Sequence, residues 1–364
     1  MTLPLYVARL FANGIFTTLG GLMALIMLLD TVELTRRTAN KPNVSFTNVL
    51  EMALMKAPEM ALRILPFAVL IGAMMALTKL TRRSELVAAR AAGISVWQFL
   101  RPGWAVTLII GILFVTIFNP IASAMLSRYE QLEARHISGK ASVLSLSSSG
   151  LWLRDFDNSM KENPERIFHA QSLDQKTIML RDVIIFQFKE DSQFVGRMDA
   201  ESAKLGKGFW QLKNVIHSQT GKPPEKSATL TLPTELTFEQ IQDSFASPET
   251  LSFWELPEFI GLLEEAGFSA LRHKLHFQVM LALPLLLIGM VFIGATFSLR
   301  APRKGKIILQ VAGGIVSGFI IYFLSDLVHA MGLSGSLPLT VAAWVPPIAT
   351  LLTGIWMMLH LEHG

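Results

Sequence analysis

Arg82-Arg83-Ser84-Glu85-Leu86-Val87-Ala88-Ala89-Arg90-Ala91-Ala92-Gly93-Ile94-Ser95 stands between two apolar runs, each long enough to cross a membrane. Ala, Leu, Glu and Arg give the segment strong helix propensity; Ser84 is placed to cap its start and Gly93 to end it. On a helix, Leu86, Ala89 and Gly93 share one face, and Arg83 and Arg90, seven apart, share another. A short charged helix between two spans is either a handle for a soluble partner or a solvated connector. The residues alone leave both open.

The composition around it is that of a membrane protein. Of 364 residues, 51% are hydrophobic and only 16% charged, and the mean hydropathy is +0.44. Cysteine is absent, which excludes disulfides and thiolate metal sites. The first apolar run, about 14–29, ends with its flank near 30–34. Leu34-Thr35-Arg36-Arg37 follows in place of a small-x-small cleavage site, so the run is expected to stay as a span. Further runs at about 58–79, 102–126, 274–298, 307–329 and 338–360 make six spans, three on each side of a polar insert. Pro66, Pro120, Pro284, Pro346 and Pro347 predict kinks. Small residues at Gly313, Gly314, Ser317 and Gly318 predict either close helix packing or a sliding gate.

Orientation follows from short-loop cations. Arg300, Arg303, Lys304 and Lys306 crowd one link of the second half, and the link at 331–337 has no Lys or Arg. The first link is therefore expected in the cytoplasm, with both termini and the 82–95 helix, and the insert outside. Arg36, Arg37, Lys41 and Lys56 crowd the outer loop and oppose this in the first half.

The insert, about 128–268, reads as a separate β domain. Strands are predicted at 151–156, 166–173, 176–188, 194–205, 209–216 and 228–232, divided by turn residues at 157–158, 163–164, 206–208 and 221–224. About 140 residues suffice for a core without disulfides, closed as a sandwich or jelly roll. Ile178, Leu180, Val183, Ile185 and Phe194 are expected to face its interior. An amphipathic helix over 253–266 follows, with Phe253, Leu256, Ile260 and Leu263 on one face and Gly267 at its end. The expected domains are 1–127, with three spans and the 82–95 helix; 128–250, the β domain; 251–268, the connecting helix; and 269–364, three spans.

Catalytic chemistry finds little support. His273 and His276 lie near Glu264 and Glu265 in sequence, but no ligand motif completes a metal set. The Ser-rich 145–150 segment is not a nucleophile elbow, no phosphate-binding Gly-rich loop occurs, and no aromatic-interleaved basic surface suggests nucleic acid. No cofactor is expected.

Several motifs carry a resemblance. Thr81-Arg82-Arg83-Ser84-Glu85-Leu86-Val87 followed by Ala92-Gly93-Ile94, Ile15-Phe16-Thr17-Thr18, Gly150-Leu151-Trp152 and Trp210-Gln211-Leu212 are similar to the LptF/LptG family of lipopolysaccharide exporter permeases. The order of three spans, β domain and three spans resembles it over the whole chain, with the LptG side favoured. The resemblance implies a non-catalytic α+β membrane protein: six transmembrane helices with an inserted extracytoplasmic β-jelly-roll domain, in the bacterial inner membrane. It implies an LptF-like permease partner, an LptB-like ATPase dimer that grips the 82–95 helix, and an LptC-like bitopic β-domain protein. The cargo it implies is lipopolysaccharide, taken from a cavity and handed to a periplasmic bridge.

It further implies that Arg82, Arg83, Ser84, Glu85, Leu86, Arg90 and Gly93 couple to the ATPase, and that Arg36, Arg37, Lys41, Arg63 and Phe67 contact lipid. One departure is visible. Family members commonly carry a lysine in the outer part of the first span, where this chain has Asp30 and Glu33, with Glu59 after Pro58. An ATPase-coupled scaffold or mechanotransmission subunit that moves no lipid is the alternative, and a membrane-anchored enzyme a third.

Overall fold

The computed structural model describes residues 3–39, 41, 44–134, 144–147, 150–156, 165–174, 179–188, 194–219, 223–234, 236–237, 241, 245–299 and 307–363. The cationic link at 300–306, Ile178 and most of the expected turns in the β domain lie outside these residues. The chain divides into two units: 1–133 with 248–256 and 271–364, and 134–247 with 257–270.

The first unit holds α1 (Leu3–Thr38), α2 (Phe46–Arg82), the short α3 (Glu85–Ala91), α4 (Val96–Leu113), a π turn (Phe114–Phe118) and α5 (Asn119–Glu133). After the β domain come α6 (Leu256–Glu265), α7 (Leu271–Ser298), α8 (Ile307–Leu333) and α9 (Leu339–His363). Among the described residues, six helices, with α4 and α5 counted as one, are long and apolar enough to cross a membrane. At about 1.5 Å per residue, the 36 residues of α1 extend about 54 Å, well beyond a hydrocarbon core of about 30 Å. The third span continues to Glu133, past the boundary expected at 127.

Small residues set the helix spacing. A Cβ on Gly72 would stand 2.6 Å from the Ile15 backbone, and one on Gly14 would stand 2.5 Å from the Gly72 carbonyl oxygen, so α1 and α2 cross backbone to backbone. On α8, Gly314 and Gly318 leave room for Met74 and Leu70 of α2, and Gly313 leaves room for Phe297 of α7. The small stripe foreseen there is occupied by packing within this chain.

α2, α7 and α9 run on through their interior prolines, while the third span yields just before Pro120, as a π turn. Pro120 has no N–H for the carbonyl four residues back, that of Thr116. The Trp254 indole donates to that carbonyl at 3.0 Å, and the buried Asn119 side chain accepts the Phe253 N–H at 2.7 Å. Residues 248–256 are thus clipped to the kink. Phe253, expected within the amphipathic helix, lies outside it and stacks on Phe277 with ring centroids 5.2 Å apart; the helix itself begins at Leu256.

The described residues of the β unit form one antiparallel sheet of seven strands in sequence order: β1 (Leu144–Ser147), β2 (Gly150–Phe156), β3 (Glu165–Asp174), β4 (Met179–Phe188), β5 (Phe194–Leu205), β6 (Phe209–Gln219) and β7 (Glu225–Pro233). All six expected strands are present, and β1 adds a seventh. A flat meander would hold β2 and β7 about 24 Å apart, five spacings of about 4.8 Å. Yet Thr234, just after β7, donates its hydroxyl to Asp155 of β2 at 3.0 Å, and Phe168 of β3 meets Trp210 of β6 at 5.3 Å between centroids. The sheet is rolled over its own core.

A crease makes the roll. Pairing lapses at Gln171, Asp182, Glu201, Asn214 and Ala228, which line up across β3 to β7. Asp182 and Asn214 are both left-handed there, at φ 50°, a conformation their side chains tolerate better than most. The buried positions change parity across the line: Leu180 then Val183 and Ile185; Met198 and Ala200 then Ala203 and Leu205; Trp210 and Leu212 then Val215. The jelly-roll-like interior therefore arises by folding one meander, with no strand crossover among the described strands. Leu180, Val183 and Ile185 face inward as expected, whereas Phe194, at the start of β5, is 48% exposed.

Candidate functional site

The α2–α3 junction is built around one strained residue. Ser84 is left-handed, at φ 57° and ψ 15°, and its side chain caps nothing. This corrects the N-cap expectation. Ser84 closes α2, its N–H reaching the Thr81 carbonyl at 3.1 Å, and its own carbonyl starts α3 by accepting from Ala88 at 3.0 Å. A residue that ends one helix in the left-handed region cannot hold the extended conformation from which a cap side chain reaches forward. Such strain costs of order 1–3 kcal/mol and persists only where the surroundings impose it.

The other end of α3 is closed more regularly. Gly93, at φ 84°, donates to the Arg90 carbonyl and Ile94 to that of Ala89, both at 3.0 Å, the paired bonds of a Schellman turn. Ser95 then opens α4 with a capping box: its hydroxyl accepts from the Gln98 N–H, and the Gln98 side chain accepts from the Ser95 N–H, each at 3.2 Å. The Ser-x-x-Gln spacing at 95–98 is the sequence signature of this box.

Between these ends Leu86 and Ala89 are buried and join the core of the helical unit. Arg82, Arg83, Ser84, Val87, Arg90 and Gly93 are exposed, so Gly93 lies on the outside and not with Leu86 and Ala89. Glu85 is half-buried. Its Oε1 accepts from the Tyr6 hydroxyl of α1 at 3.2 Å and stands 3.8 Å from the Arg83 guanidinium. The helix is pinned at both ends and along one side, with its cations outward.

A second constellation lies within the helical unit, in a cavity of about 370 Å³ lined by α2, the third span, α7, α8 and the 248–250 turn. Its walls are largely apolar, among them Pro66, Phe67, Met280, Leu283 and Leu286, and Phe67 packs on Tyr322 with centroids 5.6 Å apart. Glu59, only 7% exposed, pairs with Arg63 one turn on, and Arg63 also reaches Glu249 at 3.8 Å. His276, Asp326 and His329 add further titratable groups to the lining. Charged groups in a span are costly and find one another or a wet cavity, as these do.

Of the five lipid-contact candidates, Arg63 and Phe67 line this cavity and Arg36, Arg37 and Lys41 do not. Arg36 makes a bidentate pair with Glu33 at 2.8 and 2.9 Å, and Arg37 shares the same carboxylate at 2.9 Å. Lys41 follows α1, with its N–H on the Thr38 carbonyl at 2.9 Å. The departure at Asp30 also finds its counterpart: Lys56 of α2 binds it at 2.7 Å and stands 5.5 Å above the Tyr129 ring. Glu249, Asp326, His329 and Tyr322 have no part in the sequence-based expectation, and Lys56 enters it only as a loop cation. Asp326 and His329 did carry a signal, two titratable residues three apart inside an apolar run. Among the described residues no three His, Asp or Glu side chains gather closely enough to share a metal ion.

Residues 5–360 match the family described as lipopolysaccharide export system permease LptF/LptG. The chain is similar to the lipopolysaccharide export system permease protein LptG of Escherichia coli (strain K12), at 23% identity over 363 residues, covering 97% of each chain. It is similar also to LptG of Haemophilus influenzae (strain ATCC 51907 / DSM 11121 / KW20 / Rd), at 24% identity over 368 residues, covering 98% of each.

Proposed function

The chain belongs to the lipopolysaccharide export permease family LptF/LptG, and on that premise we propose that it is the transmembrane permease subunit of an ATP-driven exporter that extracts lipopolysaccharide from the inner membrane and passes it to a periplasmic bridge. The observation that carries the coupling part is α3 itself. A seven-residue helix has little stability of its own. Here a strained serine, a Schellman turn and two buried side chains hold it rigid while Arg82, Arg83, Val87 and Arg90 face out. That is the form of a handle for a soluble ATPase dimer, and it includes the residues assigned to coupling.

In this reading α3, both termini and the 300–306 link face the cytoplasm, on the strength of the cation asymmetry between 300–306 and 331–337. The β domain then stands in the periplasm, where its rolled core receives an LptC-like partner. α1 and α8 bury little of their surface within the chain, which suits a second, LptF-like permease alongside. The cavity supplies apolar walls for acyl chains, with Arg63 and Phe67 at its lining. A lipid with several acyl chains exceeds about 370 Å³, so the partner permease would complete the chamber.

The test is Glu85→Lys in proteoliposomes holding the whole complex, with ATP-driven lipid release and ATPase retention measured together. As a dipole partner alone, Glu85 is worth about 0.3–1 kcal/mol. As a carboxylate set against a basic partner it is worth about 2–5 kcal/mol. The variant is expected to insert normally and to lose its ATPase at least tenfold. Wild-type release with the ATPase held normally would refute the coupling role. Hydrolysis without release in the unmutated complex would turn the reading to a scaffold.

A further inference from the structure

We propose that Tyr6 is a positioning residue for Glu85, so that the first membrane helix sets the direction of the carboxylate offered to the ATPase; this rests on the coupling role of α3 proposed above. Tyr6 and Glu85 are 79 residues apart, on α1 and at the first position of α3. Tyr6 is partly buried against the core, and Val7, Phe11 and Ile15 of the same helix are fully buried, which fixes the ring. Its hydroxyl donates to Glu85 Oε1 at 3.2 Å, and Arg83 stands 3.8 Å from that same oxygen. Oε2 has no hydrogen-bond donor among the described residues.

The consequence is conformational. A free glutamate samples many rotamers and must give them up on docking, whereas one held by a rigid donor has already done so. The strained Ser84 fixes where the Glu85 backbone stands, and Tyr6 fixes where its carboxylate points, with Oε2 left for a partner's cation. Arg83, which flanks Ser84 on the side away from Glu85, is the lesser constraint, because its side chain is more than half exposed. Since α1 buries little of its apolar surface within the chain, whatever packs against α1 also bears on Tyr6 and hence on Glu85.

The test is a double-mutant cycle of Tyr6→Phe and Glu85→Ala in the reconstituted complex, read as the affinity of the ATPase dimer for the membrane subunits. Tyr6→Phe keeps the ring and its packing and removes only the O–H. It is expected to weaken ATPase binding about 3- to 10-fold, the range for losing preorganisation of one flexible side chain. In the Glu85→Ala background the same change is expected to be silent. A merely structural role for Tyr6 would give the same loss in both backgrounds and overturns the proposal. No effect of Tyr6→Phe beside a clear effect of Glu85→Ala also overturns it, while leaving the coupling role intact. No effect of Glu85→Ala removes the coupling role and this inference together.

Discussion

Lys56→Met is expected to damage this protein far more than the loss of any exposed cation, and the buried pair with Asp30 says by how much. Lys56 Nζ lies 2.7 Å from Asp30 Oδ1, with side-chain exposures of only 25% and 12%, and Asp30 Oδ2 is buried with no hydrogen-bond partner among the described residues. Methionine keeps the length and most of the packing of lysine but leaves a carboxylate uncompensated between α1, α2 and α5. Breaking a buried pair from one side costs about 3–5 kcal/mol, while replacing both partners is often nearly neutral. The double variant Asp30→Asn with Lys56→Met is therefore expected to recover most of the loss, with a coupling of about 2–3 kcal/mol. The control is Arg36→Ala. Its pair with Glu33 has side-chain exposures of 76% and 38%, in the range where ion pairs contribute about 0–1 kcal/mol. Thermal midpoints of the detergent-purified protein, at one fixed scan rate because unfolding will be irreversible, resolve these cases. The single variant should fall by roughly 6–20 °C, at about 2–4 °C per kcal/mol, and the control by little. If the two single losses simply add in the double variant, the buried-pair reasoning is wrong.

Two further expectations concern the helix scaffold. Gly72→Val places a Cβ 2.6 Å from backbone atoms of Ile15, which no rotamer change relieves. Purification should show the α1–α2 crossing lost as aggregation or loss of more than about 3 kcal/mol, at or beyond the upper end for overpacking. Trp254→Phe removes the N–H that serves the Thr116 carbonyl, a loss of about 0.5–1.5 kcal/mol. Adding Pro120→Ala restores a backbone donor to that carbonyl, so the double variant should melt above Trp254→Phe alone; an unchanged midpoint would show that the Trp254 bond is not what the kink needs.

The elements of this protein were legible in its sequence because their signals are local. Twenty-residue apolar runs name the spans, turn residues divide the strands, and Gly93 ends α3 as a glycine should. The β domain shows where local pattern stops. Alternation in 176–188 appears broken because Asp182 sits on a crease that flips the buried face, and the crease is visible only when five strands lie side by side. Ser84 shows the same limit. Its type suits a cap, but the geometry of two helices meeting at one residue overrode that preference. The candidate site depends most on the tertiary structure. Tyr6 with Glu85, Asp30 with Lys56, Arg63 with Glu249 and Trp254 with Thr116 join residues from 26 to 186 positions apart. Which of many possible partners meet across neighbouring spans is set by helix crossing points such as Gly14 on Gly72, where backbone contact fixes height and rotation together. Hydropathy says that a helix crosses the membrane; only packing decides which of its charged residues will face another.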